Sequence, residues 1–241
     1  MSGFESEASM GGEQILPFYI VCDESASMEY NGGIDAINNA IPELHAVIAS
    51  DPLVDDKARI CLITFSDDAE VLAPLSHASD IEEMPGVAAA GATSYGAVFR
   101  LLKSQIATDI ALYRADGYKI LRPAVFFITD GQPTDDWEQD HQALTDRSTN
   151  RQYPNIIAFG VDQANETTVK HVQTFAGFVM EQGVDPGAAL KEVMQGICES
   201  IIETSGQSEP ELRVPESIEG MRSVHLDEME DLDETDDPSN P

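Results

Sequence analysis

The chain has 241 residues, 42% of them hydrophobic, enough for one sizeable domain with its own core. Its 13 Lys+Arg face 44 Asp+Glu, a formal net charge of -31. Such a surface repels nucleic acid and anionic membranes and favours cations and basic protein surfaces, so nucleic acid and membrane are set aside as partners. The three cysteines, Cys22, Cys61 and Cys198, form no CxxC pair, which argues against a disulfide framework or a zinc site and suits a reducing compartment.

Residues 1–14 are small, acidic and polar and read as a flexible leader with no signal-peptide pattern. No apolar run approaches the roughly 18 residues of a membrane span, so the expected location is cytoplasmic. From Ile15 strand-like and helix-like segments alternate. Strands are predicted at Phe18–Cys22, Arg59–Phe65, Ala69–Leu72, Ala124–Thr129, Ile156–Val161 and Gly177–Met180. Helices are predicted at Ile34–Ala49, Tyr95–Tyr113, Asp136–Asp146, Thr167–Ala176 and Pro186–Thr204. Val98, Leu101, Leu102, Ile106 and Ile110 make one helical stripe, as do Leu190, Val193, Met194, Ile197 and Ile201. Pro42 either kinks the first helix or starts its main segment. The pattern predicts an α/β fold, a doubly wound and mostly parallel sheet with helices on both faces. The short turn Ser66-Asp67-Asp68 predicts one antiparallel edge strand.

This domain is expected to occupy residues 15–204. Residues 205–241 read as an acidic disordered tail, densest at Asp227–Asp237, because like charges repel and few apolar groups offset the ordering entropy. Leu226, Met229 and Leu232 would form one stripe if the tail became helical on a partner, and Thr235, within an acid block, is a candidate phosphorylation site.

Two apolar strands run straight into a carboxylate. Phe18–Cys22 leads into Asp23-Glu24-Ser25-Ala26-Ser27, and Val125–Thr129 leads into Asp130-Gly131. In a parallel sheet neighbouring strands put such ends on one edge, where open α/β sheets bind ligands. A third segment, Gly91-Ala92-Thr93-Ser94-Tyr95-Gly96-Ala97, offers the Thr93 hydroxyl at a helix entry. Two carboxylates brought together repel unless a cation intervenes. Asp23, Ser25, Ser27, Thr93 and Asp130 are therefore the candidate metal ligands, for Mg2+ or for Mn2+ or Ca2+, with a position left open to water or an external acid. Asp135 and Asp136 are expected to cap the helix containing Trp137. Glu24 is expected to face solvent, Cys22 to be a core residue, and the histidines to be incidental.

Together the three segments resemble the metal-ion-dependent adhesion site of von Willebrand factor type A domains: the D-x-S-x-S at Asp23, the G-x-T-x-x-G-x-A at Gly91 and the strand ending in T-D-G at Asp130. Ala26 stands where that family usually has Gly. Leu16-Pro17-Phe18-Tyr19, Ile63-Thr64-Phe65-Ser66 and Asp130-Gly131-Gln132-Pro133-Thr134-Asp135-Asp136-Trp137 resemble its bacterial cytoplasmic TerY-like group, linked to tellurite resistance and stress operons. That resemblance implies a Mg2+-dependent protein-interaction module without catalytic residues. It would bind an acidic residue of a partner such as a kinase, a phosphatase or another operon protein. The alternative is a Mg2+-dependent phosphohydrolase of the haloacid-dehalogenase type, but that chemistry looks for D-x-D and finds Ser25 instead. A third reading is a scaffold acting mainly through its acidic tail, docked on a basic partner or folded back over the metal site.

Overall fold

The structure, a computed structural model, describes residues 13–225. Of the expected leader at residues 1–14, residues 1–12 lie outside the described residues, while Gln14 already opens a strand; the acidic run Asp227–Asp237, with Leu226, Met229, Leu232 and Thr235, lies outside the described residues too.

Among the described residues eight strands form one sheet. They are β1 (Gln14–Asp23), β2 (Ala58–Phe65), β3 (Ala69–Ser76), β4 (Lys119–Ile120), β5 (Ala124–Thr129), β6 (Asn155–Gly160), β7 (Ala176–Met180) and β8 (Met221–Val224). Their order is β3-β2-β1-β5-β6-β7-β8, with β4 paired to the start of β1. The strands β2, β1, β5, β6 and β7 run parallel. The order reverses direction at β1, so the crevice between β1 and β5 is the switch point where this class of sheet exposes its ligand-binding edge. As expected, β2 and β3 form an antiparallel hairpin at one edge. The other edge is antiparallel too, because β8 runs back along β7.

The central strands are buried on both faces and carry near-continuous apolar runs. Helices cover the two faces: α1 (Ser27–Tyr30), α2 (Gly33–Ser50), α3 (Pro52–Lys57), α4 (Tyr95–Ala115), α5 (Glu138–Thr145), α6 (Glu166–Val172) and α7 (Pro186–Ser205). Alternation along β1 splits the core. Phe18, Ile20 and Cys22 pack under α2 and α7, while Tyr19 and Val21 pack with α4. On the second face Phe65, Tyr95, Phe99, Phe127 and Trp137 stack and abut one another with centroids 5.1–6.0 Å apart. This aromatic block lies directly beneath the ends of β1 and β5.

Three predictions need correcting. Pro42 does not start the main segment of α2; the helix runs through it from Gly33 to Ser50. The segment expected as one helix from Thr167 to Ala176 stops at Val172, because Phe175 and its neighbours must turn back to enter β7. The chain also stays ordered past the expected boundary at residue 205: Leu212, Val214, Ile218 and Met221 pack on the first core, and β8 closes the sheet. The apolar residues there are too widely spaced to read as an element, and only contact with α7 and β7 gives them a surface to bury against.

Candidate functional site

Asp23 and Asp130 come together at the carboxyl edge of the sheet, as adjacent strands β1 and β5 require. Asp23 is 0% exposed and Asp130 2%. A chain of hydrogen bonds links them. The Ser25 amide donates to Asp23 Oδ1 at 2.8 Å, the Ser25 and Ser27 hydroxyls lie 3.1 Å apart, and the Ser27 hydroxyl donates to Asp130 Oδ1 at 2.8 Å. Met28 N closes a turn on Ser25 O, which starts α1 and brings the two serines onto one side of the loop.

Thr93 is positioned by backbone stitching between loops. Ala26 N donates to Gly91 O, Ala90 N to Glu24 O, Ser94 N to Ser66 O, and Thr134 N to Thr93 O. Gly91 adopts φ +72, and a Cβ there would meet Asp67 Oδ2 at 2.6 Å, so glycine is required at this turn. A Cβ on Gly131 would meet the Thr93 hydroxyl at 3.1 Å, with Asp23 Oδ2 at 3.8 Å. Gly131 therefore leaves open the small space into which the Thr93 and Asp23 oxygens project. All five predicted residues are thus gathered at one edge.

The electrostatics are unbalanced. Burial pushes Asp23 up to about 6 despite hydrogen bonds that favour its charge, and nearby Asp130 adds to the rise. Burial raises Asp130 as well, against the donors Ser27 and Asn31, and Asp162 adds to it. Among the described residues no Lys, Arg or His forms an ion pair with either carboxylate.

Residues around the five complete the site. The Thr129 hydroxyl donates to Asp23 Oδ2 at 2.7 Å and itself accepts from the Tyr95 phenol at 3.0 Å. Asn31 Nδ2 donates to Asp130 Oδ2 at 2.6 Å and to Asp162 at 3.3 Å. Thr129 was visible in the T-D-G string; Asn31 carried no sequence signal, since its role depends on α1 folding over Asp130. Asp135 does not cap α5, whose N-terminal residue is preceded by Trp137 without a side-chain cap. Its carboxylate instead accepts from the Ser94 hydroxyl and from the amides of Tyr95 and Gly96, capping α4 and fixing the Thr93 loop. Tyr95 and Trp137 belong to the core beneath the site, not to its rim. Glu24 is half-buried rather than facing solvent.

Among the described residues no group of three or more His, Cys, Asp or Glu side chains is placed to hold a metal ion. The expected magnesium-dependent adaptor therefore has no acid-rich metal cluster to support it: the edge holds the two carboxylates, Asp23 and Asp130, among hydroxyl-bearing side chains. No described helix is long and apolar enough to cross a membrane.

Comparison with solved structures places the fold. Proximal thread matrix protein 1 from the mussel byssus, with a zinc-occupied MIDAS motif, is 14% identical with a TM-score of 0.56 over 79% of this chain and 48% of its own. A von Willebrand factor type A protein from Catenulispora acidiphila is 14% identical with a TM-score of 0.55, over 79% and 43%. The pilus adhesin SpaC from Lactobacillus rhamnosus GG, in its open conformation, is 12% identical with a TM-score of 0.58, over 79% and 30%. The chain thus spans about half or less of the length of these structures. No curated protein matches the sequence. These findings overturn the narrower assignment. The similar structures are a byssal matrix protein and a pilus adhesin, not tellurite-resistance or stress-operon proteins, and the cytoplasmic placement tied to that group falls with it. The haloacid-dehalogenase reading falls too, since the matching sequence family is a different one. The von Willebrand factor type A domain matches residues 18–182, more than half of the sequence, and the chain belongs to that family.

Proposed function

We propose that this chain is an adhesion-type protein-binding domain that engages its ligand with the loops at the carboxyl edge of the sheet, without catalysing a reaction. One observation carries the reading: Asp23 and Asp130 are buried together there, facing the hydroxyls of Ser25, Ser27 and Thr93, with no cationic side chain among the described residues to balance them. A purely structural edge would not retain two uncompensated buried carboxylates, each expensive to desolvate. Tyr30, which ends the short helix α1 begun by Ser27, is 88% exposed, and aromatic side chains of this kind anchor protein interfaces. The Ser25, Ser27 and Thr129 hydroxyls hydrogen-bond to carboxylates or to each other, and among the described residues no histidine bonds to them as a base would. No residue of the site singles out a kinase or a phosphatase as partner.

We further propose that the five oxygen-bearing side chains hold one hard divalent cation. The donor set fits such an ion: short hydroxyls and carboxylates around a space that glycine at position 131 leaves open. The ion would supply the positive charge that the buried carboxylates lack. Calorimetric titration of the full chain with MgCl2, MnCl2 and CaCl2 tests this, with one site expected in wild type and none in Asp23→Asn with Asp130→Asn. No heat in wild type, or undiminished heat in the double variant, overturns the cation. The binding surface is tested separately. Ligand captured from a source extract should be lost with Tyr30→Ala and retained with Arg122→Ser at the opposite edge. Equal retention by both variants overturns it.

A further inference from the structure

The amino edge of the sheet carries the reverse imbalance. Arg114 ends α4, Arg122 precedes β5, and Arg147 and Arg151 lie in the loop before β6. Three of them, with Tyr153, line a cleft of about 150 Å3. The Arg122 guanidinium lies 3.6 Å over the Tyr153 ring and donates to the Tyr153 carbonyl at 3.1 Å, and Arg147 approaches the same ring at 5.1 Å. All four arginines are exposed. In a chain with 44 acids to 13 bases, a surface arginine should find a carboxylate easily, as Arg100 does with Asp140 and Arg222 with Glu166. Among the described residues none of these four does.

We propose that this arginine cluster is a docking site for an acidic polypeptide segment, and that its occupant is the chain's own Asp227–Asp237. Three facts select that occupant. The segment holds Asp227, Glu228, Glu230, Asp231, Asp233, Glu234, Asp236 and Asp237, so its charge complements the cluster. Planar guanidinium groups pair with carboxylates through forked hydrogen bonds. Strand β8 runs antiparallel to β7, with Val224 opposite Gly177, so the described chain ends at His225 on the same amino edge as the arginines. From β8 to β5 is three strand spacings, about 14 Å. Five residues after His225 reach about 16 Å. A tethered segment also meets the cluster at an effective concentration of about a millimolar, which compensates for the weakness of exposed ion pairs.

The test is the side-chain Nε–Hε spectrum of the full chain labelled with 15N-arginine. Replacing Asp227, Glu228, Glu230, Asp231, Asp233 and Glu234 by Asn or Gln should move the resonances of Arg114, Arg122, Arg147 and Arg151 and leave Arg100 in place. Salt at about 0.5 M should move the same four in the same direction. A synthetic peptide of residues 226–237 added to the neutralised chain should restore the wild-type positions, with affinity falling about tenfold when Arg122→Ser and Arg151→Ser are introduced. Unmoved arginine resonances on neutralisation overturn the proposal. So do wild-type positions that depend on protein concentration, which would mean that a second copy supplies the segment, and a peptide that shifts Arg100 equally.

Discussion

The two edges of the sheet hold opposite unbalanced charges, and they differ in burial. At the carboxyl edge Asp23 and Asp130 are desolvated, held by Thr129, Ser25, Ser27 and Asn31, and have no counter-charge among the described residues. At the amino edge the arginines stand in water. Desolvation makes the first imbalance costly and specific. Solvent makes the second cheap and easily screened. A charge count alone would treat them as equivalent; the burial difference says that the first edge responds to point substitutions and the second to salt.

The sharpest way to break this comparison is Thr129→Val. It removes the hydroxyl that donates to Asp23 and accepts from Tyr95, leaving both buried groups short of a partner. Urea unfolding should show a loss of about 3 kcal/mol. Next is the cation. With the metal at about a hundred times its dissociation constant, the wild-type chain should gain about 2.7 kcal/mol by thermal unfolding against chelator, and Asp130→Asn should gain nothing. Between the edges, His141 serves as a control. Burial lowers its pKa below the ordinary 6.5, the Val172 carbonyl opposes this, and His171 adds to it. The unfolded chain therefore takes up a proton that the folded chain resists. Its contribution is full above about pH 6.5 and declines as pH falls toward the depressed folded value, and His141→Gln should flatten that slope in stability measured against pH. The smallest effect belongs to the amino edge. Arg114→Ser with Arg122→Ser should change unfolding stability by less than about 0.5 kcal/mol. A larger loss would mean that the arginines are part of the scaffold.

Much of the fold was legible because central strands buried on both faces leave long apolar runs. Ala124–Thr129 came out with its observed bounds for that reason. Short or half-exposed elements did not show. The helix Pro52–Lys57 is six residues long, and β8 alternates over only four. Of the site, the five oxygen-bearing residues stood out because carboxylates and hydroxyls directly after apolar strands break the local pattern. Asn31 and the α4-capping role of Asp135 did not, since both act on residues 39–99 positions away in sequence.

Sequence by itself determined the alternation of strands and helices, the loops bearing Asp23, Thr93 and Asp130, and the excess of acid, because these depend on residue type and local period. Tertiary structure alone decided that the second sheet edge, at β8, is antiparallel as well, that the segment after residue 205 folds back as far as His225, and that unpaired arginines gather opposite the unpaired carboxylates. Those features arise from contacts between distant segments, whose free energy depends on which surfaces meet and how much water they lose.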